Sequence, residues 1–125
     1  MKTKLRLVAT IFLLHLPVLV ARAVTFTPVT TGPVVTDGGY SRSVNFVDID
    51  NDGYLDIFVG NGRGSDLIDP VNYLYKNNGD GTFIKITSDT IVKVPASSDG
   101  NSWGDFDRDG DLDCLVATWM GQKDL

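Results

Sequence analysis

The chain has 125 residues and a net charge of −5, with 11 Lys and Arg against 16 acidic residues. That length suits one small domain and excludes a large multi-domain enzyme. All 16 acids are Asp, accompanied by 13 Gly, a composition that favours strands, turns and metal loops over helices. An acidic chain without a basic patch argues against a nucleic-acid partner. A single cysteine excludes an intrachain disulfide framework.

The chain opens on a targeting segment. Lys2, Lys4 and Arg6 precede an apolar run from Leu7 to Val20, and Ala21-Arg22-Ala23 follows with small residues in the A-x-A pattern. This predicts a secretory signal peptide over residues 1–23, cleaved after Ala23. The apolar run, about 14 residues, is shorter than the roughly 20 a transmembrane helix needs. No membrane span is expected after cleavage, and the chain is expected to be secreted, periplasmic or at the cell surface. Removing the four basic residues of that segment leaves seven basic and sixteen acidic, a net charge of −9 over 102 residues. His15, the one histidine, leaves as well. Ser-His-Asp and Cys-His catalysis and histidine-ligated zinc are then excluded, and no catalytic residue is assigned.

The rest of the chain repeats itself at an offset of 57 residues. Residues 25–61 against 82–118 give 12 identities in 37 positions without a gap. The matches include Asp48/Asp105, Asp52/Asp109, Gly53/Gly110 and Val59/Val116, with Phe46/Trp103 and Phe58/Leu115 as apolar pairs. One period predicts four short strands, Ser43–Val47, Leu55–Val59, Tyr73–Lys76 and Thr82–Ile86. The segment Asn77-Asn78-Gly79-Asp80-Gly81 forms the hairpin turn before the last of them. No amphipathic helix is expected. Four strands in about 57 residues suggest a blade of a β-propeller, which must stack on neighbours to cover both faces of its sheet. The expected organisation is all-β. A lone N-terminal strand (Thr25–Thr30) and loop lie in residues 24–40, a full four-stranded blade in 41–97, and a partial blade in 98–125.

The loops between the first and second strands carry the chemistry. Asp48 to Asp56 fits D-x-D-x-D-G-x-x-D, and Asp105 to Asp113 fits it again. Calcium takes six to eight hard oxygens. Alternate spacing turns Asp48, Asp50 and Asp52, or Asp105, Asp107 and Asp109, toward one centre. The glycine at position 6 allows the bend. The carbonyl of Tyr54 or Asp111 and the carboxylate of Asp56 or Asp113 then complete the predicted shell. An EF-hand needs Glu at position 12 and flanking helices; here that position is Val59 or Val116, and strands flank it. Solvated turns are the alternative. Like charges about 4 Å apart repel by roughly 1 kcal/mol in water and about 4 kcal/mol at an effective dielectric of 20, so such crowding favours a bound cation.

These loops and the strands after them (Leu55–Val59 and Leu112–Val116), with the segment Tyr73–Phe83, resemble the FG-GAP/VCBS repeat in the form found in ASPIC/UnbV-type secreted proteins. The resemblance covers about residues 25–119. It implies a calcium-binding β-propeller of the integrin α head type, usually seven-bladed, in which calcium is structural. Seven such units need about 400 residues, so the chain is expected to be a fragment of a longer propeller. The implied function is binding or adhesion, with carbohydrate or another extracellular protein as partner and no catalysis. Two alternatives stand beside it: an accessory portion of a secreted polysaccharide-active enzyme, and short chains that assemble with their own copies. Elsewhere, Cys114 is expected as a buried free thiol, the segment Gly60–Asp66 as a surface loop and Trp103 as core. Trp119 is left open between core and surface.

Overall fold

A computed structural model describes residues 24–64, 70–119 and 125. The expected signal peptide, and Ser65 and Asp66 of the glycine-rich loop, lie outside the described residues. Six strands carry the fold. β1 (Ser41–Val47), β2 (Asp56–Asn61), β3 (Tyr73–Asn77) and β4 (Phe83–Ile86) form an antiparallel sheet in the order β1-β2-β3-β4. β5 (Ser98–Gly104) and β6 (Asp113–Thr118) form a second, two-stranded sheet. The fold is therefore all-β, with a four-stranded blade-like sheet and half of another. Observed strand limits differ from the expected ones by up to two residues.

The 57-residue period is written into the backbone. Phe46 pairs with Ile57 as Trp103 pairs with Cys114, and a bulge between Ser41 and Ser43 returns between Ser98 and Gly100. A short helix, α1 (Pro33–Thr36), reappears one period later as the 3-10 turn Thr90–Val92. Neither was expected from the sequence, because a single turn is too short to show a helical period. The N-terminal strand over Thr25–Thr30 does not form: residues 24–30 have no regular structure, and Phe26 is 91% exposed. A strand is held by ladder bonds to a neighbour, and among the described residues none ties residues 24–30 to another strand.

The pleat sorts side chains onto two faces. Phe58 of β2 and Leu74 of β3 point toward the second sheet and form the core with Val92 and Val116. Trp103 of β5 stands edge-on to Phe58 at 5.4 Å between ring centroids. Trp103 is thus core-facing as expected, and its indole N–H donates to Asn101 Oδ1 at 2.9 Å. Cys114 packs on the same cluster but is half-buried rather than fully enclosed. On the opposite face, Tyr75 is buried, and its hydroxyl donates to Asp37 Oδ2 at 3.0 Å while Tyr73 donates to the Gly38 carbonyl at 2.8 Å. The residues just after α1 thus clamp one part of that face and leave Val44 and Phe46 exposed. Among the described residues no helix is long and apolar enough to cross a membrane.

Candidate metal centres

Each Asp-rich loop joins the first two strands of its sheet, β1 to β2 and β5 to β6. Two residues in each loop adopt positive φ: Asn51 (56°) and Gly53 (89°) in the first, Arg108 (66°) and Gly110 (99°) in the second. At position 6 only glycine takes that conformation without strain, which explains its place in the motif. The fold then turns backbone N–H groups onto the first carboxylate. Asp52 and Gly53 donate to Asp48 at 3.0 and 2.9 Å. Asp109 and Gly110 donate to Asp105 at 3.1 Å each. Position 5 closes the turn in both copies, Asp52 accepting from Tyr54 N and Asp109 from Asp111 N.

These turns gather the carboxylates. One oxygen each from Asp48, Asp50 and Asp52 lie within 4.8 Å of one another, and the same holds for Asp105, Asp107 and Asp109. The residues at position 9 stand apart from these groups. Asp56 is completely buried; its two oxygens accept from Ile49 N at 3.1 Å and Asn77 N at 2.7 Å, tying the loop to the end of β3. Asp113 accepts from Phe106 N at 2.9 Å in the matching way. Both therefore act as staples of the loop in this structure. Tyr54 and Asp111 are exposed loop residues, with the Tyr54 ring lying over Gly79 of the hairpin turn.

One participant was missed in the sequence. Lys76 of β3 places its ammonium against Asp50 and Asp52. Its signal was available in the alternation: Lys76 lies two residues beyond Leu74, hence on the same sheet face and one step closer to the loop. Its positive charge meets the two carboxylates that a metal would share. The donor set, three converging hard carboxylate oxygens in each loop, suits calcium. Asp48, Asp50 and Asp52, and Asp105, Asp107 and Asp109, would hold the ion, which would offset most of the charge of the three converging carboxylates.

Between the two loops lies an open cavity of about 810 Å³, with Ile49, Trp103 and Cys114 among its apolar walls and Asp50, Asp89 and Asp111 at its rim. At the opposite end of the strands, Trp119 is half exposed, and the Arg42 guanidinium stacks 5.1 Å from its ring centroid.

Comparison with known proteins agrees with the loop geometry. The family profile of the FG-GAP-like repeat matches residues 48–116, which begins at the first Asp of one loop and runs into the strand after the other. Cartilage acidic protein 1 of Xenopus tropicalis is 37% identical over 85 residues, covering 67% of this chain and 12% of that protein. Cartilage acidic protein 1 of Homo sapiens is 35% identical over 71 residues, covering 56% of this chain and 10% of that protein. The chain thus spans about a tenth of the length of these relatives. No solved structure gives a significant match.

Proposed function

The chain belongs to the FG-GAP-like repeat family, and from that premise we propose that it is a secreted, calcium-binding propeller repeat protein that acts in binding or adhesion. Calcium is structural in this reading and no reaction is catalysed. The observation that carries it is the duplicated carboxylate group, three Asp oxygens within 4.8 Å in each of two loops at the same register of the repeat. Metal binding at one loop alone would leave the second acidic group unexplained. The leader-like residues 1–23 support export, and export places the protein where calcium is abundant.

Binding one ion in each loop would stiffen the β1–β2 and β5–β6 connections and set the spacing of the two sheets. Asp56 and Asp113 hold each loop to its strand through their hydrogen bonds to Ile49 N, Asn77 N and Phe106 N. The ligand met by the rest of the surface is a carbohydrate or another extracellular protein. The test is isothermal titration of the chain with calcium after chelation. Two ions per chain are expected, falling to one in Asp52→Ala and to one in Asp109→Ala. Uptake unchanged in both variants would remove the assignment of these loops.

A further inference from the structure

The closing half of the first metal loop rests on the hairpin turn between β3 and β4. Asn77 ends β3 and opens that turn. Its backbone N–H donates to Asp56 Oδ1 at 2.7 Å, and its side-chain amide donates to the Leu55 carbonyl at 3.0 Å. Its side-chain oxygen accepts from Gly79 N at 2.9 Å, inside the turn. One side chain therefore holds the loop with its nitrogen and the turn with its oxygen. The Tyr54 ring packs on the same turn at Gly79, which has φ 77° and where a Cβ would come within 2.8 Å of the ring. Glycine is needed there twice, for the conformation and for the space.

This support reaches the converging carboxylates by two short routes. Tyr54 N donates to Asp52 Oδ1 at 2.9 Å, so the residue whose ring rests on Gly79 also holds Asp52. Asp56, bonded to Asn77 N, accepts from Ile49 N with its other oxygen at 3.1 Å, and Ile49 lies between Asp48 and Asp50. Both routes end at the group in which Asp48, Asp50 and Asp52 come within 4.8 Å. The bonds of Asn77 stop at Leu55 and Asp56, outside those three residues, so Asn77 does not compete with an ion for them. Lys76 differs, since its ammonium lies against Asp50 and Asp52 themselves. Calcium affinity depends on the rigidity of the loop as well as on its charge, and Asn77 supplies rigidity.

Resting on the calcium reading above, we propose that Asn77 is a positioning residue of the first metal loop, through which calcium there and order in the hairpin turn strengthen each other. Such coupling is reciprocal: what the turn adds to ion affinity, the ion returns as protection of the turn. Asn78 supplies the contrast. Its side chain donates to Thr82 Oγ1 at 2.7 Å and its N–H to the Thr82 carbonyl at 3.0 Å, both within the hairpin and neither on the loop. The second metal loop joins β5 to β6 in the other sheet and serves as the internal reference.

The test is calcium titration of the full chain in two backgrounds, Asp109→Ala, which leaves the first loop, and Asp52→Ala, which leaves the second. Asn77→Ala should weaken calcium at the first loop by about fivefold or more, the lower end of coupling between sites, and leave the second loop unchanged. Asn78→Ala should change neither, although it also removes a side-chain bond from the turn. A second measurement needs no hairpin variant. Hydrogen exchange of residues 78–82, read by mass spectrometry, should slow when calcium is added to the Asp109→Ala chain and stay unchanged in the Asp52→Ala chain. Equal first-loop affinity with and without Asn77→Ala overturns the proposal, as do equal losses in Asn77→Ala and Asn78→Ala. Exchange that calcium at the first loop leaves unchanged overturns it as well. A loss at both loops does the same, because it means a general loosening of the fold. Backgrounds that take up no calcium at either loop remove the metal reading itself, and this coupling with it.

Discussion

Arg42 and Asp99 occupy the same position in successive copies of the repeat, yet they carry opposite charges and pair with each other at 2.6 Å across the two sheets. Side-chain exposures of 34% and 43% keep this an open ion pair, of the kind contributing about 0.2–1 kcal/mol. Arg42 also covers the ring of Trp119. Arg42→Ala is therefore expected to cost little stability in urea unfolding while shifting the Trp119 emission toward that of a hydrated indole. Emission unchanged from the parent would place the guanidinium away from the ring.

Stability is concentrated at Phe58. Its ring is fully buried, edge-on to Trp103, and it is the central contact between the two sheets. Phe58→Ala removes that contact and opens a cavity, with an expected loss of about 3–5 kcal/mol. Leu115→Ala, at the same register position of the second copy but half exposed, should cost far less. Equal costs in chemical denaturation would mean that the two faces are equally covered in solution.

The contrast between these two positions marks what the sequence could reveal. Comparing residues at a fixed offset finds what the copies share: the Asp loops, their glycines, the paired strands and the alternation that directs Phe58 and Trp103 inward. It is blind to what makes the copies differ. Arg42 and Asp99 appear there only as a mismatch, although the mismatch is the contact. Alternation puts Lys76 on the Leu74 face of β3, but its reach to Asp50 and Asp52 depends on the register of β3 against the loop. The strand expected at Thr25–Thr30 shows the reverse error. Thr25-Phe26 repeats Thr82-Phe83, but a strand also needs an edge to pair with, and similarity to β4 does not supply one. Such long-range facts are fixed by packing and leave no local pattern.

The clamp around Tyr75 should respond to pH at both extremes. The Lys85 ammonium, 2.8 Å from Asp37, holds its carboxyl below the ordinary value of 3.8, with the Tyr75 hydroxyl assisting against partial desolvation. A carboxylate with a lowered folded pKa contributes stability above the unfolded value, and the contribution is lost as pH falls through the folded one. Burial, then the bond to Asp37, raises the Tyr75 pKa above its ordinary 10.0. That contribution is complete below about pH 10 and is lost as pH rises beyond it. Asp37→Asn should flatten the acid limb of a melting-temperature profile, and Tyr75→Phe the alkaline limb. Limbs that match the parent in both variants would remove this clamp from the pH response.

Cys114 is the lone thiol, half-buried against the Phe58 cluster, and desolvation raises its pKa to about 11. The thiolate is the reactive form, so little of it is present near neutral pH. Iodoacetamide at pH 8 should label the native chain slowly and the urea-unfolded chain much faster, as read by intact mass. Equal rates would show that the contact between the two sheets opens freely.

Lys76 separates the two metal loops. Its ammonium lies against Asp50 and Asp52, whereas among the described residues no lysine or arginine pairs with Asp107 or Asp109. Without metal it relieves the mutual repulsion of the first loop; with metal it must yield its place, so it opposes uptake there. Lys76→Gln should lower the stability of the chelated chain and tighten calcium at the first loop by up to about fivefold, the equivalent of the ~1 kcal/mol upper range of a solvent-exposed ion pair. Titration in an Asp109→Ala background isolates that loop. Weaker calcium binding in the double variant would mean that Lys76 organises the site rather than competing for it.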